Sequence, residues 1–195
     1  MGKREKHEQY PSDRELIRKC SAGDIRAQEM LYKKYFSLAM SVCIRYTGNE
    51  NEAMESVNDS FMKVLDNLNG YDAARPFSAW YGKILVNTAI DNYRKNARHS
   101  FQISVEKIAE TEDREPEIDA ELSAADIIGL FKQLPEQYRI TFNLYEIEGY
   151  SHDEIAEMLG ITASTSRANL TRAKKMLRGL YIKNHISARH SHEAV

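Results

Sequence analysis

The chain has 195 residues, a formal net charge of −2 and 42% hydrophobic residues, which is ordinary for a soluble globular protein of one domain or two small ones. No apolar run approaches the ~18 residues of a membrane span, and the N-terminus lacks the apolar core of a signal peptide. These features exclude membrane insertion and secretion, so we expect a cytoplasmic protein.

Charge is segregated along the chain, so the small net value hides two basic regions and one acidic region. Between Phe101 and Asp126 there are nine acidic and two basic residues, with one proline and little periodicity, which predicts a linker. Residues 75–99 contain five basic residues and one acidic residue, and residues 162–189 contain seven basic residues and none that is acidic. Two basic regions therefore lie on either side of an acidic tether.

The low proline and glycine counts (4 and 9) and the scarcity of alternating apolar runs favour an all-helical chain. Apolar residues at spacings of three, four and seven predict four helices in the first block, with Ser78 as the N-cap of the fourth. Their predicted ranges are 13–22, 24–46, 51–68 and 78–98. Cys20 and Cys43 fall within apolar helical patterns, so buried free thiols are favoured over a disulfide.

The second block predicts four more helices, and the last two form a helix-turn-helix pattern. Ser151 and Glu154 make an S-x-x-E capping box, Gly160 ends that short helix, and Thr162 is expected to cap the longer one. The predicted ranges are 123–134, 136–148, 151–159 and 162–180.

The last helix has two contrasting faces when its residues are placed at 100° intervals. The predicted core face contains Ser166, Leu170, Ala173 and Leu177, of which the serine is unexpected. The opposite face contains Ser164, Ala168, Thr171, Lys175 and Arg178, flanked by Arg167 and Arg172. Hydroxyls can bond to base edges, alanine can contact a thymine methyl, and the cations can contact phosphates, so this face fits a DNA major groove. The alternative is a solvated basic face on a bundle helix.

The fourth helix has a second row of polar and aromatic residues, preceded by the loop NGYDAARPF at residues 69–77. The row contains Trp80, Lys83, Asn87, Arg94 and Arg98, with Asp91 among them. Aromatic rings beside cations suit unpaired nucleic-acid bases, which stack and carry phosphates. The alternative is that Phe77, Trp80 and Tyr81 are core residues.

Three motifs appear in a specific order: VNDSFMKVLDNLNGYD with FSAWYGKILVNTAIDNYRKNAR, then the acidic linker, then LPEQYRITFNLYEIEGYSHDEIAEMLGITASTSRANLTRAKKMLRGLY. This order, over about residues 14–181, resembles a bacterial extracytoplasmic-function sigma factor of the minimal two-domain kind. The resemblance implies an all-α protein of two small helical domains joined by an acidic linker, the C-terminal domain being a helix-turn-helix four-helix unit. The implied segments are a flexible N-terminus (1–13), region 2 (14–99), the linker (100–122), region 4 (123–181) and a flexible tail (182–195).

The same resemblance implies a function and its residues. Such proteins bind core RNA polymerase in the bacterial cytoplasm, direct it to promoter DNA and open the duplex. The implied polymerase-binding residues are Val57, Asn58, Asp59, Phe61, Met62 and Leu65. The implied −10 residues, which hold melted DNA, are Tyr71, Arg75, Trp80, Lys83, Asn87 and Arg94. The implied −35 residues, which read duplex DNA, are Thr162, Ser164, Thr165, Arg167, Ala168, Thr171, Arg172 and Lys175.

The chain departs from the family pattern at several of these positions. Asn58 and Asp59 stand where Gln and Glu are more common, which keeps the chemistry and shortens the reach. Ser164 and Ser166 stand where Gly and Val are common. Asn169 replaces a common Arg or Lys, so we expect it to have lost a phosphate contact or gained a base contact.

The acidic linker and a further partner follow from the same resemblance. The linker could mimic nucleic acid in a basic polymerase channel, or it could cover the basic faces of this chain when polymerase is absent. Many members of the family are held inactive by an anti-sigma factor, which makes such an inhibitor a further candidate partner.

Two other classes of protein account for part of the sequence. A dimeric helix-turn-helix regulator would explain residues 149–180 but not the aromatic and basic helix at 78–98. A helical protein-interaction module would use the basic faces for an acidic partner. We expect no enzyme, cofactor or metal site, because the sequence has no nucleophile and base arrangement or phosphate-binding glycine loop. His185, His190 and His192 fit a solvated tail better than a metal site.

Overall fold

The computed structural model describes residues 11–99 and 124–192, and it describes side chains over 11–96 and 127–183. All regular elements in these segments are helical, so the all-α prediction is confirmed for them. The eight α-helices are α1 (Asp13–Ser21), α2 (Ile25–Tyr46), α3 (Glu50–Asn67), α4 (Phe77–His99), α5 (Ala124–Lys132), α6 (Glu136–Phe142), α7 (His152–Leu159) and α8 (Ala163–His192). The predicted acidic linker lies outside the described residues.

The chain divides into two compact units, Met1–Ala89 and Ile90–Val195, with the boundary inside α4. In the first unit, α1 and α3 pack against α2. The fully buried side chains of this core include Leu16, Leu31, Val57, Val64 and Leu85. The buried rings of Phe77 and Tyr81 join α4 to the same core, and the hydroxyl of Tyr81 lies 3.3 Å from Ser60 Oγ on α3.

In the second unit, α5, α6 and α7 all pack against α8. Phe131, Leu134, Tyr138 and Ala173 form a buried cluster, with Phe142, Met176 and Leu177 packed beside it. The last turns after α6 widen into a π-helical turn at Asn143–Ile147, so the single helix predicted over 136–148 changes its hydrogen-bonding pattern halfway. This arrangement places α7 and α8 as the two helices of a helix-turn-helix.

Local capping signals at the helix-turn-helix are confirmed. Ser151 and Glu154 form both bonds of the capping box, and Gly160 ends α7 with a φ of 68°, a left-handed conformation that glycine adopts without a side-chain clash. Thr162 Oγ1 accepts the N–H of Thr165 at 3.1 Å and so caps α8. Each of these bonds satisfies a backbone group that a helix end otherwise leaves without a partner.

Two predicted helix ends are wrong. Ser78 does not cap α4, because the helix begins at Phe77 and the carbonyl of Pro76 accepts the first helical N–H groups, from Ala79 and Trp80. The predicted end of the last helix at about residue 180 is also wrong, since α8 continues to His192. No proline or glycine follows Gly179 to stop it.

Cys20 and Cys43 are both free and buried, as predicted. Burial raises the pKa of the Cys43 thiol to about 12, so at neutral pH it is a neutral core residue and not a reactive thiolate. Among the described residues, no helix combines the length and apolar character that crossing a bilayer would require.

Candidate nucleic-acid interface

The outward face of α8 presents a cationic surface that other side chains leave open. Arg167, Arg172 and Lys175 are exposed, and none of them forms an ion pair with another residue of the described segments. Lys174, in contrast, pairs with Glu146 Oε1 at 2.7 Å. A long polyanion is the natural partner of a helix face with several unpaired cations and no carboxylate.

The predicted −35 residues share this face. Thr162, Ser164, Thr165 and Thr171 are exposed, and Ala168 is half-buried. The predicted core face is confirmed, since Ser166 and Ala173 are fully buried and Leu170 is 7% exposed. The sequence thus predicted correctly which side of α8 faces outward.

A polar contact explains the buried serine on α8. The Oγ of Ser166 lies 3.0 Å from Nδ1 of His152, the first residue of α7, so the two helices share a hydrogen bond. The ring of Tyr145, on the π-helical turn, stacks on His152 with centroids 4.4 Å apart and planes 19° apart. His152 therefore joins three elements behind the outward face, a role that the sequence did not reveal.

Asn169 does not lie on the outward face, which corrects the expectation of a lost phosphate contact or a gained base contact. Its side chain is only 4% exposed. Position 169 is three residues after Ser166, and residues at that spacing lie on the same side of a helix. This asparagine is therefore part of the packed side of α8.

The second candidate surface is an aromatic cluster where the loop at 71–76 meets α4. The ring of Trp80 lies 5.2 Å from Tyr71 and 5.6 Å from Phe77, measured between centroids. Phe77 and Tyr81 are core residues, whereas Trp80 and Tyr71 are half-buried and keep part of their rings open to solvent. The alternative that Phe77, Trp80 and Tyr81 are all core residues is thus correct for Phe77 and Tyr81 only.

Cations and a polar side chain extend this surface along α4. Lys83 and Asn87 are exposed. Arg94 lies in the second unit and is half-buried there, where its Nη2 donates to the carbonyl of Glu157 at 3.2 Å. Arg75, in the loop, is also exposed and lies 3.6 Å from Asp72 Oδ2. The predicted −10 residues therefore combine partly open rings with accessible hydrogen-bond donors, as stacking on unpaired bases and contact with their phosphates would require.

Local bonds give the loop at 71–76 a defined shape. The Tyr71 hydroxyl donates to the carbonyl of Arg75, and the Ala74 N–H donates to Asp72 Oδ1 at 3.0 Å. Burial, together with the charges of Asp13 and Asp72, raises the pKa of Tyr71, so its hydroxyl stays protonated and able to donate at neutral pH.

A network of hydrogen bonds among partly buried side chains connects this cluster to α1. The hydroxyl of Tyr35 donates to Asp13 Oδ2 at 2.6 Å, and Lys34 Nζ lies 2.8 Å from Asp13 Oδ1. Burial acts to raise the pKa of Asp13, but the hydrogen bonds from Lys34 and Tyr35 and the charge of Lys34 outweigh it, so the pKa is lowered. Tyr35 also lies 4.8 Å from the ring of Phe77, so the network supports the aromatic cluster from behind.

The predicted polymerase-binding residues on α3 divide into two groups. Asn58, Asp59 and Met62 are exposed, Met62 at 58%, and Leu65 is half-buried. Val57 is fully buried and Phe61 is 8% exposed, so these two side chains support the surface of α3 and do not form it. The hydroxyl of Tyr32 on α2 donates to Asn58 Oδ1 at 2.8 Å, which extends the polar surface across to α2.

The described residues contain no group of three or more His, Cys, Asp and Glu side chains arranged to hold a metal ion. The two candidate surfaces thus consist of aromatic rings, hydroxyls, amides and cations. Side chains of these kinds bind nucleic acid through stacking, hydrogen bonds and charge.

Two family models match the chain, one in each block. The model described as Sigma-70 region 2 matches residues 31–99, and the model described as Sigma-70, region 4 matches residues 125–177. Region 2 thus covers α4 and the α3 surface, and region 4 covers the helix-turn-helix.

Several curated proteins are similar over most of the chain. The ECF RNA polymerase sigma factor SigE of Mycolicibacterium smegmatis is 27% identical over 80% of this chain and 62% of its own length. The RNA polymerase sigma-H factor of Pseudomonas aeruginosa is 24% identical over 85% of this chain and 91% of its own. The ECF RNA polymerase sigma factor SigW of Bacillus subtilis is 27% identical over 83% and 92%.

Two solved structures also resemble the chain. CnrH, in complex with the cytosolic domain of CnrY, is 24% identical over 88% of this chain and 97% of its own, with a TM-score of 0.43. The sigma factor RpoE of Bartonella quintana, in complex with the anti-sigma factor NepR, is 20% identical over 78% and 95%, with a TM-score of 0.47.

The helix-turn-helix with an open cationic face defines the class as a DNA-binding protein of the all-α type. Both family models match this chain, in the order region 2 then region 4, and curated sigma factors are similar to it over 83% and 85% of its length. The chain belongs to the sigma-70 family and is a two-domain sigma factor of the extracytoplasmic-function group.

Proposed function

We propose that this protein binds core RNA polymerase, directs it to specific promoters and promotes opening of the DNA. The presence of both sigma-70 regions in one chain carries this proposal. A dimeric regulator needs only the helix-turn-helix. That alternative gives no function to the α3 surface or to the aromatic cluster on α4. The protein acts in the bacterial cytoplasm as a binding factor and catalyses no reaction of its own.

Each surface takes one step of initiation in this proposal. The outward face of α8 reads the −35 duplex, with Arg167, Arg172 and Lys175 on phosphates. The rings of Tyr71 and Trp80 hold an unpaired base of the −10 element, which offsets the few kcal/mol that unstacking a base costs. The exposed part of α3, with Asn58, Asp59 and Met62, docks on the polymerase.

We also propose that the α3 surface is shared between polymerase and an inhibitor. Met54 and Met62 on α3 are apolar side chains that are 38% and 58% exposed. Binding of a partner that removes such apolar surface from water is favourable. An anti-sigma factor that covers them would exclude core polymerase by direct competition.

Run-off transcription with purified core polymerase tests the proposed function. On a candidate promoter, wild-type protein should give specific transcripts, and core alone should give none. Arg167→Ala should weaken promoter binding several-fold, because it removes one phosphate contact. Trp80→Ala should leave closed-complex binding nearly unchanged and slow opening, measured by permanganate reactivity of unpaired thymines.

Two variants serve as controls. Lys132→Ala removes an exposed cation of α5 that lies outside the predicted surfaces, so promoter binding should stay at the wild-type level. Trp80→Phe keeps an aromatic ring and should recover much of the opening rate. Specific initiation by core polymerase without this protein, or tight binding to a palindromic operator as a dimer, would contradict the proposal.

A further inference from the structure

Few of the hydroxyl groups at the start of α8 are free to meet DNA. The Oγ1 atoms of Thr162 and Thr165 lie 2.8 Å apart, and Thr162 Oγ1 also accepts the N–H of Thr165, so both hydroxyls belong to the helix cap. The hydroxyl of Thr171 donates to the carbonyl of Arg167 at 3.0 Å. Among the described residues, the exposed Ser164 hydroxyl has no such partner.

The hydrogen bond of Thr171 determines which of its atoms can reach a ligand. A threonine Cβ carries one hydroxyl and one methyl, and here the hydroxyl is directed to the backbone of the preceding turn. The hydroxyl proton is therefore not available to donate to a base, and the Cγ2 methyl is the carbon group that this exposed position offers to a ligand. Ala168, three residues earlier on the same face, likewise offers only carbon.

We propose that α8 distinguishes base pairs with one hydroxyl and two carbon groups. The Ser164 hydroxyl bonds to a base edge, whereas Thr171 Cγ2 and Ala168 Cβ contact the C5-methyl groups of thymines in the major groove. Thr171 is then a specificity-determining residue through its methyl and not through its hydroxyl. This proposal rests on the proposed function, because it takes the DNA site of α8 to be the −35 element.

Deoxyuridine provides a direct test, because it differs from thymidine only in lacking the C5-methyl. The holoenzyme, assembled from core polymerase and the full chain, first selects promoters from a library randomised at the −35 element. Each thymine in the selected element is then replaced by deoxyuridine, one at a time. Removing one methyl contact should weaken holoenzyme binding about four-fold at the thymine that Thr171 contacts.

Two substitutions separate the methyl from the hydroxyl of Thr171. Thr171→Val keeps a methyl and removes the hydroxyl, so the four-fold sensitivity to deoxyuridine should remain. Thr171→Ser keeps the hydroxyl and removes the methyl, so the same replacement should no longer matter. Core polymerase should bind both variants as it binds the wild type, because Thr171 is on α8 and the proposed polymerase contacts are on α3.

Ser164 is tested beside a control outside the predicted surfaces. Ser164→Ala should reduce discrimination at one base pair of the selected element. Lys132→Ala, at an exposed position of α5, should leave the preference at every position unchanged.

Several results would overturn this proposal while the proposed function stands. One is sensitivity to deoxyuridine that survives in Thr171→Ser and disappears in Thr171→Val. The others are no effect of deoxyuridine at any thymine, and a selected element that contains no thymine. A holoenzyme that selects no −35 element at all would overturn the proposed function, and this proposal with it.

Discussion

A buried serine on α8 depends on a histidine that lies 14 residues earlier in the chain. Ser166 is fully buried, and a buried hydroxyl without a partner costs about 1–3 kcal/mol. The bond to His152 avoids this cost and ties α7 to the helix that carries the cationic face. The stability of the helix-turn-helix therefore depends in part on this polar pair between α7 and α8.

His152→Phe should lower the free energy of unfolding of α7 and α8 by about 1–3 kcal/mol, because an aromatic ring remains against Tyr145 while Ser166 loses its partner. His152→Asn should cost less, since an amide can take the place of Nδ1. Native-state amide hydrogen exchange of α7 and α8 measures the effect where it arises, because Trp80, the single tryptophan, lies in the other unit.

Adding Ser166→Ala to His152→Phe should restore most of the loss, because no polar group is then left buried without a partner. Strictly additive losses in the double variant would show that the two side chains do not depend on each other.

At the level of single residues, the sequence predicted which side chains are exposed better than which side chains contact each other. The wheel of α8 placed Arg167 and Thr171 outward correctly, because helical periodicity is a local property. It could not supply the His152 partner of Ser166, because a contact across two helices depends on the angle at which they pack. The family resemblance grouped the buried Val57 and Phe61 with the exposed Met62, since family motifs mark a surface and the residues beneath it together.

At the level of elements, the turn between α7 and α8 depends on one backbone conformation. Gly160 has a φ of 68°, and a Cβ added there would meet no heavy atom within 4 Å. Gly179, in the middle of α8, has the same free space for a Cβ but no positive φ. The two glycines therefore separate backbone strain from packing.

Gly160→Ala should destabilise α7 and α8 by about 1–2 kcal/mol, because the left-handed conformation is costly for a residue with a Cβ. Gly179→Ala should instead stabilise α8 by about 0.5–1 kcal/mol, since alanine loses less entropy in a helix. Hydrogen exchange on the full chain measures both effects. If both substitutions stabilised the helices, or both destabilised them, this explanation of the turn would be contradicted.

Helices were predictable where capping residues or glycines mark their ends. The capping box of Ser151 and Glu154 and the stop at Gly160 are short-range signals, so α7 was predicted to within a residue. The start of α4 was missed because the carbonyl of Pro76 accepts the first bonds in place of the Ser78 side chain. The π-helical turn after α6 has no comparable capping residue at its start, since the Phe142 side chain makes no capping bond.

At the level of the whole molecule, segregated charge allows a chain of net charge −2 to bind a polyanion. The cations of α8 have no carboxylates on their own helix in residues 162–189, so the local field is positive even though the protein is slightly acidic.

Association with core RNA polymerase tests the central claim most directly. The full chain, labelled with a fluorophore, is titrated with purified core polymerase at low ionic strength while anisotropy is followed, and unlabelled protein serves as competitor. We expect saturable binding that the competitor reverses and that Met62→Asp weakens at least ten-fold, since a charge would replace the most exposed apolar side chain of α3. An unchanged anisotropy across the titration with the wild-type chain would contradict the account.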